Sequence, residues 1–338
     1  MQDAIRALAG GEGLSPEMAR QAMGLLATGG ATAAQAGAFL AALRVKGETA
    51  EEIAAFCRVL EEHAITISPR VQGTLVDTCG TGGDGASTFN ISTAAAIVAA
   101  AAGIPVVKHG NRAVSSRCGS ADVLEALGVN ITLSPGDVCR TVEELGIGFL
   151  YAPLFHLAFR HVAGVRREMG CHTVFNILGP LLNPARAPAR LVGVFSPALL
   201  SPVAGALRIL GVRKALVVHG SGLDEITVSG ETRVAELKGT SIDEYAISPR
   251  EFGIPEYPLR DICGSGVEEN ASIIRGILHG QITGAARDVV AMNAGAALYA
   301  GGKVKEIGDG IELAMDAIAT GSAGEKLGAL ARASRGGQ

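Results

Sequence analysis

Alanine-rich amphipathic runs separated by glycine turns fill the first 65 or so residues, a pattern that predicts short helices. Ser15 followed by Pro16 reads as an N-cap with proline at the first helical position, and Gly29-Gly30 ends that helix. Thr32-x-x-Gln35 and Thr49-x-x-Glu52 have the capping-box pattern, and Gly47 closes the helix between them. A proline-containing linker at 66–70 follows, and the texture then changes. From about residue 73, short β-type runs alternate with helix-type runs. TLVD (74–77), PVVKHG (105–110), RLVGVF (190–195) and KALVVHG (214–220) read as strands. STAAAIVAAAAG (92–103) and SADVLEALG (120–128) read as helices, and an alanine- and leucine-rich helix lies between the last two strands. The final hundred residues are mainly helical. This alternation predicts an α/β protein: a small helical N-terminal domain over 1–69, then a larger α/β domain over 70–338 with a mostly parallel central sheet. Ligands of such a sheet are expected at the carboxyl ends of its strands.

Composition narrows the function. The 338 residues suit about two domains, and an apolar share of 48% excludes a disordered chain. Lys and Arg number 29 against 33 Asp and Glu, a net charge of −4, so a broad nucleic-acid-binding surface is not expected. With no Trp, 4 Tyr and 9 Phe there is no platform for stacking bases either. The six cysteines are dispersed without a C-x-x-C pair, which fits reduced thiols. The N-terminus lacks the features of a secretory signal, and the longest apolar stretch, Ala94 to Val107, is interrupted by Gly103 and Pro105. A cytoplasmic protein that does not enter a membrane is expected.

Four segments carry the candidate chemistry. DTCGTGGDGASTFNIST (77–93) leads from a strand through Gly80, Gly82, Gly83 and Gly85 to a helix start near Ser92, a geometry suited to an anion. The same glycines satisfy G-x-G-x-x-G, but no acidic residue ends the next strand, and no Lys follows the last glycine as a Walker loop requires. The second segment, KHGNRAVSSRCGSADVLEALG (108–128), ends a strand in Lys108 and Arg112 and adds Ser115, Ser116 and Ser120, side chains that suit a polyanion. In the third, HGSGLDE (219–225), Asp224 and Glu225 offer oxygen ligands of the kind Mg²⁺ prefers. Alone, that pair reads as an exposed acidic turn; beside two phosphate loops, the metal reading is the better one. The fourth, HVAGVRREMGCHTVFNILGPLLNPA (161–185), places Arg166 and Arg167 on a helix, with two prolines forcing an irregular connection after it. Arg166 suits a carboxylate, though the segment alone also allows a plain surface arginine. No residue pattern marks a general acid, a general base or a thiol nucleophile.

GTGGDGASTFNIST, KHGNRAVSSRCGSADVLEALG, NILGPLLNPA, GLDE and NAGAALY, in this order, resemble the anthranilate phosphoribosyltransferases over nearly the whole chain. The resemblance implies a fold shared with pyrimidine nucleoside phosphorylases, Mg²⁺ as cofactor, and homodimers joined through the helical domain, which segment 165–188 would complete. It implies transfer of the phosphoribosyl group of 5-phosphoribosyl pyrophosphate (PRPP) to anthranilate, an early step of tryptophan biosynthesis. Carried over by motif, the PRPP site takes Gly80, Gly83, Asp84 and Thr88, then Asn90, Ile91, Ser92 and Thr93. From the second loop it takes Lys108, His109, Gly110, Asn111, Arg112 and Ala113, followed by Val114, Ser115, Ser116 and Ser120. Ser92, Asp224 and Glu225 match metal ligands; Gly80, Asn111 and Arg166 match anthranilate contacts. Gly164, Leu157 and His172 depart from the family's usual pattern, all on the anthranilate side. A pyrimidine nucleoside phosphorylase, a non-catalytic nucleic-acid binder and a nicotinamide-dependent dehydrogenase are the rival readings.

Overall fold

The computed structural model describes residues 1–113 and 117–336. The helical start forms as its capping residues dictate. After a short α1 (Gln2–Ala9), the Ser15 hydroxyl accepts from the Met18 amide and opens α2 (Pro16–Ala27). Thr32 and Thr49 form capping boxes with Gln35 and Glu52 at the heads of α3 (Ala33–Lys46) and α4 (Ala50–Glu62). Glu52 tolerates burial because Lys46 pairs with it at 2.7 Å and the Leu14 amide donates to it.

The chain then runs through β1 (Val76–Gly80), α5 (Ile91–Ala101), β2 (Val106–Gly110), α6 (Ser120–Ala126), α7 (Pro135–Leu145) and β3 (Ile147–Tyr151). Next come α8 (Ala152–Phe155), α9 (Arg160–Met169), α10 (Val174–Leu181), β4 (Ala189–Gly193), α11 (Leu200–Ile209) and β5 (Lys214–Gly220). β6 (Thr232–Lys238) and β7 (Ser241–Ile247) precede α12 (Val267–Leu278), α13 (Ala285–Ala300), α14 (Ile307–Ala319) and α15 (Ser322–Ser334). Among the described residues the strands form one sheet in the order β3-β2-β1-β4-β5-β6-β7. The first five are parallel and the last two antiparallel, so the expected mostly parallel sheet is present. β3 and the β6–β7 hairpin go beyond the sequence expectation. β6 mixes Arg233, Glu236 and Lys238 into its alternation, and β7 is a largely exposed edge strand, so neither shows a clean apolar period.

Alternation along the strands builds two cores. Leu191, Leu216, Val218 and Val234 face a core shared with α5, α12, α13, α14 and α15. Val192, Val217, Ala235 and Leu237 face the other side, where α10 and α11 join the four N-terminal helices in one apolar cluster. Helix α5 is buried almost all round, which fixes its N-terminus under the sheet's carboxyl edge.

Pro180 departs from expectation, because it lies inside α10 and not in an irregular connection. The helix ends one residue later, and its last carbonyls find side-chain donors. His109 Nδ1–H donates to Gly179 O at 3.1 Å, Arg190 Nη1 to Pro180 O and Leu181 O, and His156 Nε2–H to Leu182 O at 2.7 Å. Side chains thus supply the donors that the helix end leaves missing.

Candidate active site

The strand order reverses between β1 and β4, the place where a doubly wound sheet opens a crevice. Three neighbouring strands end there in glycine: β1 at Gly80, β4 at Gly193 and β5 at Gly220. A Cβ on Gly193 would fall 1.5 Å from the Asp224 carbonyl oxygen, one on Gly80 2.2 Å from Asp224 Oδ2, and one on Gly220 2.4 Å from the Glu225 carbonyl oxygen. The missing side chains therefore let the turn after β5 lie directly across the strand ends. Asn293 of α13 locks that turn, accepting from the Ile226 amide and donating to its carbonyl.

This arrangement brings Asp224 and Glu225 onto the glycine loop. Asp224 Oδ2 accepts from the Gly82 amide at 2.7 Å, and the Asp224 amide points at Asp84 Oδ2. Glu225 Oε1 accepts from the Ser92 amide at the head of α5, a favourable place for a carboxylate. Lys108, almost fully buried, donates to Thr78 O and to the Ser92 hydroxyl at 3.1 Å. Burial, then the nearby Asp84 charge, pushes the Asp224 carboxyl up from its ordinary range. Burial, then Asp224, does the same to Glu225. Carboxylates that repel one another at the floor of a cleft suit a divalent cation. Among the described residues no three acidic, His or Cys side chains form a complete ligand set. Mg²⁺ draws ligands from water and phosphate as well as from protein.

The second loop folds onto α6. Asp122 accepts from the Ala113 and Gly119 amides and pairs with Arg112, which also reaches Glu125 at 2.7 Å. Arg112 is thus engaged with carboxylates at the rim. Gly110 is bare because the Ser120 hydroxyl occupies its Cβ space, and that hydroxyl donates to Asn111 O. Asn90 donates to Cys118 O and accepts from Asn270, which ties the two loops to α12. Thr88 bridges to Cys263, while Ile91 and Thr93 are buried in α5 beneath the loop. His109 points back to α10, with its ring 5.0 Å from that of His156. Val114, Ser115 and Ser116 lie outside the described residues.

Beside this cleft opens a cavity of about 1010 Å³. Asn111 lines it from the second loop, Arg160, Arg166 and Arg167 from α9, His172 from the turn into α10 and Asn176 from the first turn of α10. Arg166 is half-buried, lies 5.5 Å from the Phe175 ring centroid and approaches Asn176 Oδ1 at 3.4 Å. Burial lowers its pKa from the usual arginine value. Of the three departing positions, Leu157 and His172 line the cavity; Gly164 sits on the exposed face of α9.

The family model described as "Glycosyl transferase family, a/b domain" matches residues 72–324, and that described as "helical bundle domain" of the same family matches residues 2–64. A protein of Methanosphaerula palustris named anthranilate phosphoribosyltransferase is 50% identical over 337 residues, covering 99% of both chains. The chain belongs to the anthranilate phosphoribosyltransferase family. The crystal structure of the Thermus thermophilus member is 46% identical, with a TM-score of 0.93 over 98% of this chain and 99% of that one. The Saccharomyces cerevisiae member, 28% identical and solved in complex with PRPP and Mg, has a TM-score of 0.90 over 99% of this chain and 97% of its own. Its complex with 4-fluoroanthranilate covers 98% and 97% with a TM-score of 0.88.

Several residues that shape this family member's site escaped the sequence reading. Asn293 lies in NAGAALY, quoted above only as a motif. Asp77 opens the glycine-loop segment and Asn183 lies in NILGPLLNPA, both quoted above without a role, while Arg190 and Asn270 lie outside those motifs; all four act beneath the site. Arg190 is buried among strands, where β1 and β4 pair it with Asp77 in register. Asn183 donates to Val107 O and holds the chain after α10 onto β2.

Proposed function

We infer that this protein transfers the 5-phosphoribosyl group of PRPP to the amine of anthranilate, giving N-(5-phosphoribosyl)anthranilate and pyrophosphate, a step of tryptophan biosynthesis. One observation carries the reading. A glycine-bared acidic cleft at the sheet's switch point adjoins an arginine-lined cavity, and the β2 loop that carries Lys108 into the cleft places Asn111 on the cavity wall.

In the cleft, the backbone of Gly80 and Gly83, with Asp84, Thr88 and residues 90–93, forms the wall for the diphosphate and ribose of PRPP. Lys108, the backbone of His109, Gly110, Asn111, Arg112, Ala113 and Ser120 form the facing wall; Val114, Ser115 and Ser116, expected on the same wall, lie outside the described residues. Asp224, Glu225 and the Ser92 hydroxyl would hold Mg²⁺, which when bound offsets the charge of the departing pyrophosphate. In the cavity, Arg166 pairs with the anthranilate carboxylate, and Asn111 and Gly80 hold the ring near the donor. The amine is neutral at pH 7, so its lone pair is available without a strong base. It attacks C1 from the face opposite pyrophosphate. The C1–O bond breaks with its electron pair leaving on pyrophosphate, the C1–N bond forms with inversion, and the surplus proton on nitrogen passes to solvent. The protein contributes placement and neutralisation, the two effects most useful when a leaving group is highly charged and the sugar becomes cationic.

The same reading makes the protein a cytoplasmic homodimer joined through its helical lobe, with residues 1–69 completed by 165–188. Among the described residues no helix is long and apolar enough to cross a membrane. Light scattering on purified protein reads the dimer. Fluorescence-monitored loss of anthranilate on addition of PRPP, dependent on Mg²⁺, tests the activity. Phosphate-dependent cleavage of thymidine without anthranilate consumption would instead make the protein a nucleoside phosphorylase.

A further inference from the structure

His172 stands between the two compartments. It follows the left-handed Gly170 that ends α9 and immediately precedes Thr173, which caps α10. Its ring lines the acceptor cavity, yet the same ring leans on the glycine loop. A Cβ on Gly83 would lie 2.3 Å from His172 Nε2, so the imidazole occupies the space that Gly83, at φ +77°, leaves bare. The ring also packs on Phe195 with centroids 4.4 Å apart. The Phe195 amide in turn donates to the Thr81 hydroxyl of that loop at 3.0 Å, and Arg44 of α3 lies 5.9 Å from the Phe195 centroid. On the cavity side, the Thr173 amide donates to Asn176 Oδ1 at 3.0 Å, the same oxygen that Arg166 approaches. One peptide bond therefore separates the ring on the donor loop from the amide that orients the partner of Arg166.

We propose that His172 is a positioning residue that couples the two substrate sites, so that diphosphate on the glycine loop and aromatic carboxylate at Arg166 raise each other's affinity through this imidazole. The proposal rests on the phosphoribosyl-transfer reading above. A diphosphate that fixes the left-handed turn at Gly83 also fixes the surface against which His172 and Phe195 pack. The second ligand then meets an acceptor wall that is already ordered, and its affinity rises. By linkage the effect is reciprocal.

Calorimetric titration of anthranilate into the protein, with and without saturating Mg²⁺ and inorganic pyrophosphate, measures this coupling without turnover. Wild-type protein should bind anthranilate roughly five- to twentyfold more tightly with pyrophosphate present. His172→Ala should bring that factor to within about twofold of unity while pyrophosphate alone still binds, and His172→Gln, which restores a polar group of similar reach, should recover part of it. A wild-type factor of one, or a His172→Ala protein with the wild-type factor, overturns the proposal. Wild-type protein that binds neither pyrophosphate nor anthranilate overturns the underlying transferase reading as well, an outcome distinct from loss of coupling alone.

Discussion

Asp224 and Glu225 are held by backbone amides at Gly82 and Ser92 and face the Asp84 carboxylate, so their placement costs stability that a cation bound as proposed would recover. Replacing both by amides keeps their size and removes the repulsion. The double variant Asp224→Asn, Glu225→Gln should keep its far-UV circular dichroism and melt no lower than wild type without metal. Its turnover at limiting Mg²⁺ should fall by about 100-fold or more, the scale seen when a charge-stabilising group is lost. Unchanged turnover would remove these residues from metal binding. A different residue controls acid stability. Burial lowers the His156 pKa to about 4, against the smaller upward pull of its Nε2–H bond to Leu182 O. The unfolded imidazole takes up its proton near pH 6.5, so between 6.5 and about 4 the unfolded state binds more protons than the folded one. Stability therefore falls as pH falls through that window, by up to about 3 kcal/mol from this group. His109, also lowered by burial and then by His156, adds to the loss with the same sign. Urea denaturation at pH 7 and pH 4.5 should show a smaller loss for His156→Gln than for wild type.

Helix α10 carries Asn176 to the acceptor cavity, and it is stable because other elements complete it. Its carbonyls at 179 to 182 are satisfied from β2, β4 and the turn after α8, and Arg190 is the hub, also donating to Ala187 O. Arg190→Met should leave three carbonyls without their donor and remove a charge that favours the ionised form of buried Asp77. It should cost about 3–5 kcal/mol in denaturant unfolding, and in surviving folded protein it should raise the KM for anthranilate more than that for PRPP. An equal rise in both would place Arg190 outside the acceptor side. This element also marks the limit of sequence reading. Local signals exposed the capped helices α2, α3 and α4, the apolar strands β1, β2, β4 and β5, and the glycine loop, because each is written in adjacent residues. Two prolines within GPLLNP speak for a break, yet the helix runs one residue past the first of them, and the donors that close its end, His109, His156 and Arg190, are distant in sequence. Asn293 and Asn270 stayed hidden for the same reason, since their partners lie 67 and 180 residues away.

At the scale of the whole molecule, the four N-terminal helices have no core to themselves. Phe39, Leu40, Phe56 and Leu60 belong to a cluster that includes Phe175, Leu178 and Leu181 of α10, Val203 and Leu207 of α11, and Val192 and Val217 of the sheet. The helix bearing Arg166 is mounted on this layer through Val162 and Val165, while the glycine loop rests through Phe89 and Ile91 on the core across the sheet, and the cavity opens where the helical layer meets the strand ends. Cutting the chain at the linker 66–70 would expose Phe39, Phe56 and their neighbours to water, and each buried side chain of that kind is worth about 1.5–3 kcal/mol. A fragment of residues 1–69 should therefore lack a cooperative thermal transition and show weak helical circular dichroism. Adding residues 70–338 in trans should restore helicity only if the second fragment presents α10, α11 and the sheet face as a ready surface. A cooperative, fully helical 1–69 fragment would show instead that this lobe carries a sufficient core of its own, and the mechanical link from helical layer to acceptor cavity would have to run through α9 and α10 alone.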